Sequence, residues 1–263
     1  MSTTAGRPMF QATGDAYDGF MGRYAAPLAP RFADLAGVTA GQRALDVGCG
    51  PGALTGELVR RLGADRVAAI DPSPSFVAAC AARHPGVAVA PGRAEAIPHS
   101  DGAVDVALAQ LVLHFVGDPP GAARELRRVV RPGGTIAACV WDFAEGMQML
   151  RLFWDAATVV DPAAPDEART LRFGRAGEIA ALFTAAGLRD VDETVLDVAV
   201  DYAGFDDLWA GFEAGVGPAG AYCVALPAAP RERLRAELDR RLGAPRQPFT
   251  LRARARSVRA IAP

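Results

Sequence analysis

Short apolar runs alternate with longer amphipathic segments along this chain, and that rhythm constrains the fold more than any other feature. Residues 43–47 (Arg-Ala-Leu-Asp-Val) read as a strand ending in the glycine cluster Gly48-Cys49-Gly50-Pro51-Gly52. Residues 53–62 read as a helix, because Leu54, Leu58 and Leu62 recur at helical spacing. A strand over 66–70, a helix over 75–83, a brief strand over 87–90, a strand over 104–109 and a helix over 120–130 follow. The turn Arg131-Pro132-Gly133-Gly134 then delivers a strand over 135–141. Strands joined through helices pair in parallel, so the pattern predicts a doubly wound α/β sheet covered on both faces.

After Trp141 the rhythm changes. Helices are expected over 147–160 and 178–186, the second closed by Gly187. Alternation at Val191, Glu193, Val195 and Asp197 predicts a sixth strand over 191–200. Residues 203–242 read as helix and loop, and alternation over 249–261 (Leu251, Ala253, Ala255, Val258) predicts a closing strand. The expected organisation is an N-terminal helical arm over 1–40, a core over 41–145, and the rest of the same domain over 146–263. Within that last part, 203–247 reads as an inserted helical cap. No internal repeat is visible.

Composition narrows the chemistry. A chain of 263 residues that is 51% hydrophobic buries an ample core without a disulfide or metal staple. A net charge of −2 and a pI near 6.0 argue against nucleic-acid binding through bulk electrostatics. All 28 basic residues are arginine, which excludes a lysine nucleophile, Schiff base or phosphate-loop lysine. Cys49, Cys80, Cys139 and Cys223 form no Cys-x-x-Cys pair and no His-Glu-x-x-His occurs, so no metal site is expected. Residues 1–10 lack a signal-peptide pattern. The most apolar stretch, 104–116, is too short to span a bilayer and carries Asp105, Gln110 and His114. A cytoplasmic protein with reduced thiols and no integral membrane association is expected.

Gly48-x-Gly50-x-x-Ala53 satisfies the dinucleotide fingerprint, so an NAD-dependent oxidoreductase would use the same turn. Asp46 shifts the balance. A carboxylate at that strand end repels a pyrophosphate and attracts a cation. S-adenosylmethionine carries an ammonium and a sulfonium and no phosphate. Its ribose needs an acid after the second strand, and Asp71 supplies it.

Leu45-Asp46-Val47-Gly48-Cys49-Gly50-Pro51-Gly52 resembles the glycine-rich first motif of the class I S-adenosylmethionine-dependent methyltransferases. Within them the likeness is greatest to the bacterial group that includes the ubiquinone/menaquinone C-methyltransferases, and it runs from Tyr17 to Trp141. The resemblance implies a seven-stranded, Rossmann-like sheet with its last strand antiparallel. It also implies S-adenosylmethionine as cofactor, leaving S-adenosylhomocysteine. Cys49 and Pro72 would flank the ligand beside the glycines and Asp71, and Phe76 would pack on the adenine. Gly92-Arg93-Ala94-Glu95-Ala96 resembles the loop that reads the adenine edge, and Gln110 sits where relatives line the methionine end. Arg93 departs from the pattern. Many relatives have an acceptor aspartate there and arginine only donates, which leaves the edge to the Ala94 backbone, the Glu95 carboxylate or water. Tyr17-Asp18-Gly19-Phe20-Met21-Gly22-Arg23-Tyr24 resembles an arm folding over the methionyl end, with Arg23 pairing the cofactor carboxylate and Tyr17 hydrogen-bonding to it.

Methyl transfer from a sulfonium is an in-line displacement with an activated leaving group, so orientation is the main task. His114 is the candidate base, against a packing role; His84 reads as a solvated helix end and His99 as a loop residue. Trp141, Phe143, Trp154, Phe173, Trp209, Phe212 and Tyr222 are candidate walls for an apolar or aromatic acceptor. The expectation is a small-molecule methyltransferase, monomeric or homodimeric, with carbon, oxygen or nitrogen as acceptor atom. A silent S-adenosylmethionine-binding protein is the non-enzymatic alternative.

Overall fold

Strands whose residues are buried on both sides need helices above and below them, and the chain provides both. The computed structural model describes residues 14–263. The expectation about a signal peptide over 1–10, and the first part of the arm, fall outside the described residues. Seven strands form one sheet: β1 (Ala44–Val47), β2 (Val67–Asp71), β3 (Ala88–Pro91), β4 (Val104–Gln110), β5 (Val130–Trp141), β6 (Arg189–Tyr202) and β7 (Phe249–Ile261). Their order is β3-β2-β1-β4-β5-β7-β6. The first five pair in parallel, and β7 runs antiparallel to both β5 and β6. This is the expected sheet.

All four residues of β1 are buried, and β4 buries all but Asp105, as central parallel strands require. The chain leaves β1 toward β2 on one side and later returns to β4 on the other. That reversal opens a crevice beyond the carboxyl ends of β1 and β4, where open α/β sheets bind ligands.

The helices are α1 (Gly14–Tyr17), α2 (Arg23–Leu35), α3 (Ala53–Leu62), α4 (Pro74–Arg83), α5 (Pro119–Val129), α6 (Gln148–Val160), α7 (Glu167–Thr170), α8 (Glu178–Ala185), α9 (Phe205–Glu213), α10 (Gly217–Ala225) and α11 (Ala228–Arg241). Leu54, Leu58 and Leu62 of α3 are buried, as their spacing predicts. Helices α9–α11 occupy the segment between β6 and β7. The arm, α1 to α2, crosses the carboxyl edge of the sheet. It is tied to α9 by Phe20 against Phe212 (centroids 5.3 Å) and by Arg23 on Asp207 at 2.8 Å.

Most limits lie within two residues of the sequence reading, and the start of β5 differs more. Arg131-Pro132-Gly133-Gly134 lies within β5 as an irregular stretch: Val104 pairs with Val130, and Val106 with Thr135. A Cβ on Gly134 would lie 2.6 Å from the Asp105 carbonyl oxygen, so only glycine lets this bulge lie against β4.

Leu108 sits fully buried in β4. Its replacement by alanine is expected to cost about 3 kcal/mol. Denaturant unfolding checks this, as a lower midpoint at unchanged slope.

Candidate active site

The crevice is built from the ends of three neighbouring strands. The Gly48 and Cys49 N–H groups both donate to Ile70 O of β2, at 2.8 and 3.0 Å, so the chain turns sharply after β1. Gly48 has φ +74°, and a Cβ there would lie 2.5 Å from Val112 Cγ2; its glycine serves protein packing. Gly50 has φ +53° with no protein atom within 4 Å of a Cβ position, so its open side is a cradle for a ligand. Asp71, at the end of β2, braces the loop. Its Oδ2 accepts the Gly50 N–H at 2.9 Å and its Oδ1 accepts the Ser73 N–H at 2.8 Å. Burial raises its pKa, and the two N–H donors oppose the shift.

Asp46 is the more deeply buried of the two acids. It is 1% exposed. Its Oδ2 accepts the Thr55 hydroxyl from α3 at 2.6 Å, whereas Oδ1 has no partner among the described residues. Burial pushes its pKa up to about 7; Thr55 opposes the shift and neighbouring Asp71 adds to it. Gln110, at the end of β4, donates through Nε2 to Ala25 O of the arm at 3.1 Å, while its Oε1 has no partner. Tyr17, Cys49, Gly50, Asp46 and Gln110 share the wall of one cavity of about 30 Å³. That is room for water alone, and Tyr17 and Ala25 of the arm form part of its wall.

Several expected residues lie near this cavity. Phe76 is buried with its ring edge-on to Tyr17, centroids 5.6 Å apart. The Cys49 thiol is pushed up by its Cys80 neighbour and by burial. Gly92 N–H bonds Asp71 O at 3.1 Å, which sets the 92–96 loop beside the β2 acid. Ala94 is buried, and Pro72 is exposed. Glu95 faces elsewhere: its Oε1 accepts the Gly117 N–H at 3.0 Å and pairs with Arg93 at 3.5 Å.

Three readings need correction. Arg23 does not reach the cavity; its guanidinium grips both oxygens of Asp207, donates to Asp201 O and lies 4.3 Å over the Tyr202 ring. His114 is not in the cavity wall either. It is buried between Phe115 (3.9 Å) and Phe143 (5.2 Å), and that burial draws its pKa down to about 3, too low for an effective base near neutrality. His84 is no solvated helix end: its Nε2 lies 2.9 Å from Gly52 O. The sequence signal for it was Gly56, a glycine inside an otherwise leucine-patterned helix. Among the described residues, no group of three or more His, Cys, Asp or Glu is placed to hold a metal, and no helix is long and apolar enough to cross a membrane.

Comparison with known proteins falls on the same segment. Residues 45–138 match the family described as "Methyltransferase domain". Within the matched residues lie Asp46, the glycine loop, Asp71 and Gln110. A malonyl-[acyl-carrier protein] O-methyltransferase of Erwinia billingiae is 35% identical over 96 residues, which is 36% of this chain and 38% of that protein. The chain spans only 29–40% of the length of these curated relatives. Among solved structures, the YcgJ protein of Bacillus subtilis superposes with a TM-score of 0.59 at 18% identity, covering 90% of this chain and 97% of that one. Geranyl diphosphate C-methyltransferase from Streptomyces coelicolor A3(2), in complex with S-adenosylhomocysteine, superposes at 0.53 with 14% identity, covering 90% of this chain and 78% of that one. The chain therefore has the Rossmann-like methyltransferase fold.

Asp46 binds its proton more tightly folded than unfolded. Its contribution to stability is therefore greatest below the unfolded pKa near 3.8 and is lost as pH rises toward about 7. Asp46→Asn removes that loss. The variant is expected to exceed the parent in stability above pH 7 by on the order of 2–4 kcal/mol, with the gap closing near pH 4. Melting curves of both proteins across pH check the sign.

Proposed function

We propose that this chain is an S-adenosylmethionine-dependent methyltransferase acting on a small, apolar or aromatic molecule. The observation that carries this reading is the pair of unpartnered buried acceptors, Asp46 Oδ1 and Gln110 Oε1, beside the open cradle at Gly50. A buried acceptor without a donor is costly, and a ligand cation offsets the cost. A pyrophosphate at the same place would set like charge against Asp46. The finer likeness, to the ubiquinone/menaquinone C-methyltransferase group, rests on the motif around Asp46 and on the arm.

When bound, S-adenosylmethionine supplies an electrophilic methyl group on a sulfonium. The chain's own residues bind and orient. Asp46 and Gln110 hold the ammonium, and Asp71, whose oxygens each keep a free lone pair, takes the ribose hydroxyls. Phe76 offers an apolar face to the base, with the Ala94 backbone at its edge. Tyr17 closes the methionyl end. Gln110 also holds the arm through Ala25 O, so the residue that lines the ligand also draws the lid down and excludes water. With water excluded and the nucleophile aligned, orientation contributes several kcal/mol. The arm, the end of β5 and helix α9 face the acceptor side, where Trp141, Phe212 and Phe20 are buried. An apolar acceptor suits such walls. No side chain is assigned as base, and acceptors that react in their neutral form need none.

Thermal denaturation with S-adenosylmethionine, S-adenosylhomocysteine and NAD tests the reading. The first two are expected to raise the midpoint in a concentration-dependent way and NAD to leave it unchanged. Stabilisation by NAD alone, or by none of them, would contradict it. Asp71→Ala is expected to weaken S-adenosylhomocysteine binding by about 1.5–3 kcal/mol in calorimetry, and an unchanged dissociation constant removes Asp71 from the site.

A further inference from the structure

Resting on the glycine loop as the S-adenosylmethionine site, we propose that His84 is a positioning residue for that loop. Three consecutive loop residues are each held by a side chain from the segment that runs from the end of β2 through α4. Asp71 accepts the Gly50 N–H at 2.9 Å, Arg83 Nη1 donates to Pro51 O at 3.3 Å, and His84 Nε2 donates to Gly52 O at 2.9 Å. A carbonyl oxygen only accepts, so the His84 proton sits on Nε2.

The imidazole also fills the space that two glycines leave. A Cβ on Gly52 would lie 2.6 Å from Nε2 and 2.7 Å from Cδ2, and one on Gly56 would lie 2.8 Å from Cε1. Gly52 has φ +104° and is the N-cap of α3 with no side-chain cap of its own. Gly56 lies inside α3, where glycine is otherwise unfavourable. The ring explains both. It packs on the first turn of α3 and pins the carbonyl that enters it. The position of the Gly50 cradle relative to Asp71 therefore depends on a residue that lines no part of the cavity. Arg83 extends the same clamp to the arm, through Asp18 at 2.6 Å.

The test is calorimetric binding of S-adenosylhomocysteine to the full chain, its His84→Ala variant and its His84→Gln variant. Glutamine keeps an N–H donor at similar reach. His84→Ala is expected to raise the dissociation constant about tenfold, and His84→Gln to stay within about threefold of the parent. Gly56→Ala supplies an independent readout through its melting midpoint. In the parent the new methyl meets the ring and the midpoint falls; in the His84→Ala background the ring is gone, helix propensity prevails, and the midpoint rises. Parental affinity in His84→Ala, or glutamine no better than alanine, overturns the proposal. If the parent itself does not bind S-adenosylhomocysteine, the site reading fails. The sign change at Gly56 then decides separately whether His84 sets the loop, and its absence overturns that claim.

Discussion

A carboxylate buried in a central strand with half of its hydrogen-bonding capacity unmet is the constraint around which this molecule is arranged. Asp46 lies in the middle of the sheet, flanked by β2 and β4, and its one protein partner is Thr55, near the start of α3. That bond fixes where α3 begins and hence the span the glycine loop must cross. Burial raises the energy of the ionised form and pushes the pKa of this acid up to about 7.

Around this acid the loop is braced from a single neighbouring unit, β2 and α4, through Asp71, Arg83 and His84. The arm is braced from the opposite direction. Arg23 joins it to Asp207 and the face of Tyr202, Tyr24 meets Tyr202 at 3.0 Å, and Phe20 rests on Phe212. The arm beside the glycine loop is thus also the segment that contacts β6 and α9.

Most of the sheet was legible because the period-2 and helical patterns were uninterrupted: the limits of α3 and β7 match the apolar spacing residue for residue. The Arg131–Gly134 stretch was misread because its turn residues serve a bulge inside a strand. The placement of Asp46, Asp71, Gly50 and Gln110 around one crevice was legible, since it follows from their positions at or next to strand ends. Arg23 and His84 were not. Arg23 answers to Asp207, distant in sequence, and nothing local distinguishes an arginine that reaches a ligand from one that reaches another helix. For His84 the one cue, Gly56 inside α3, shows that space is left free but not which residue fills it.

The central claim is that Asp46 is the anion that meets the ligand's cation. Titration of S-adenosylhomocysteine into the protein near pH 6.5, in two buffers of different ionisation enthalpy, tests it directly. Asp46 is then mostly protonated, and binding is predicted to release a proton, giving buffer-dependent enthalpies. Equal enthalpies in both buffers, with binding intact, would mean that the cation sits elsewhere.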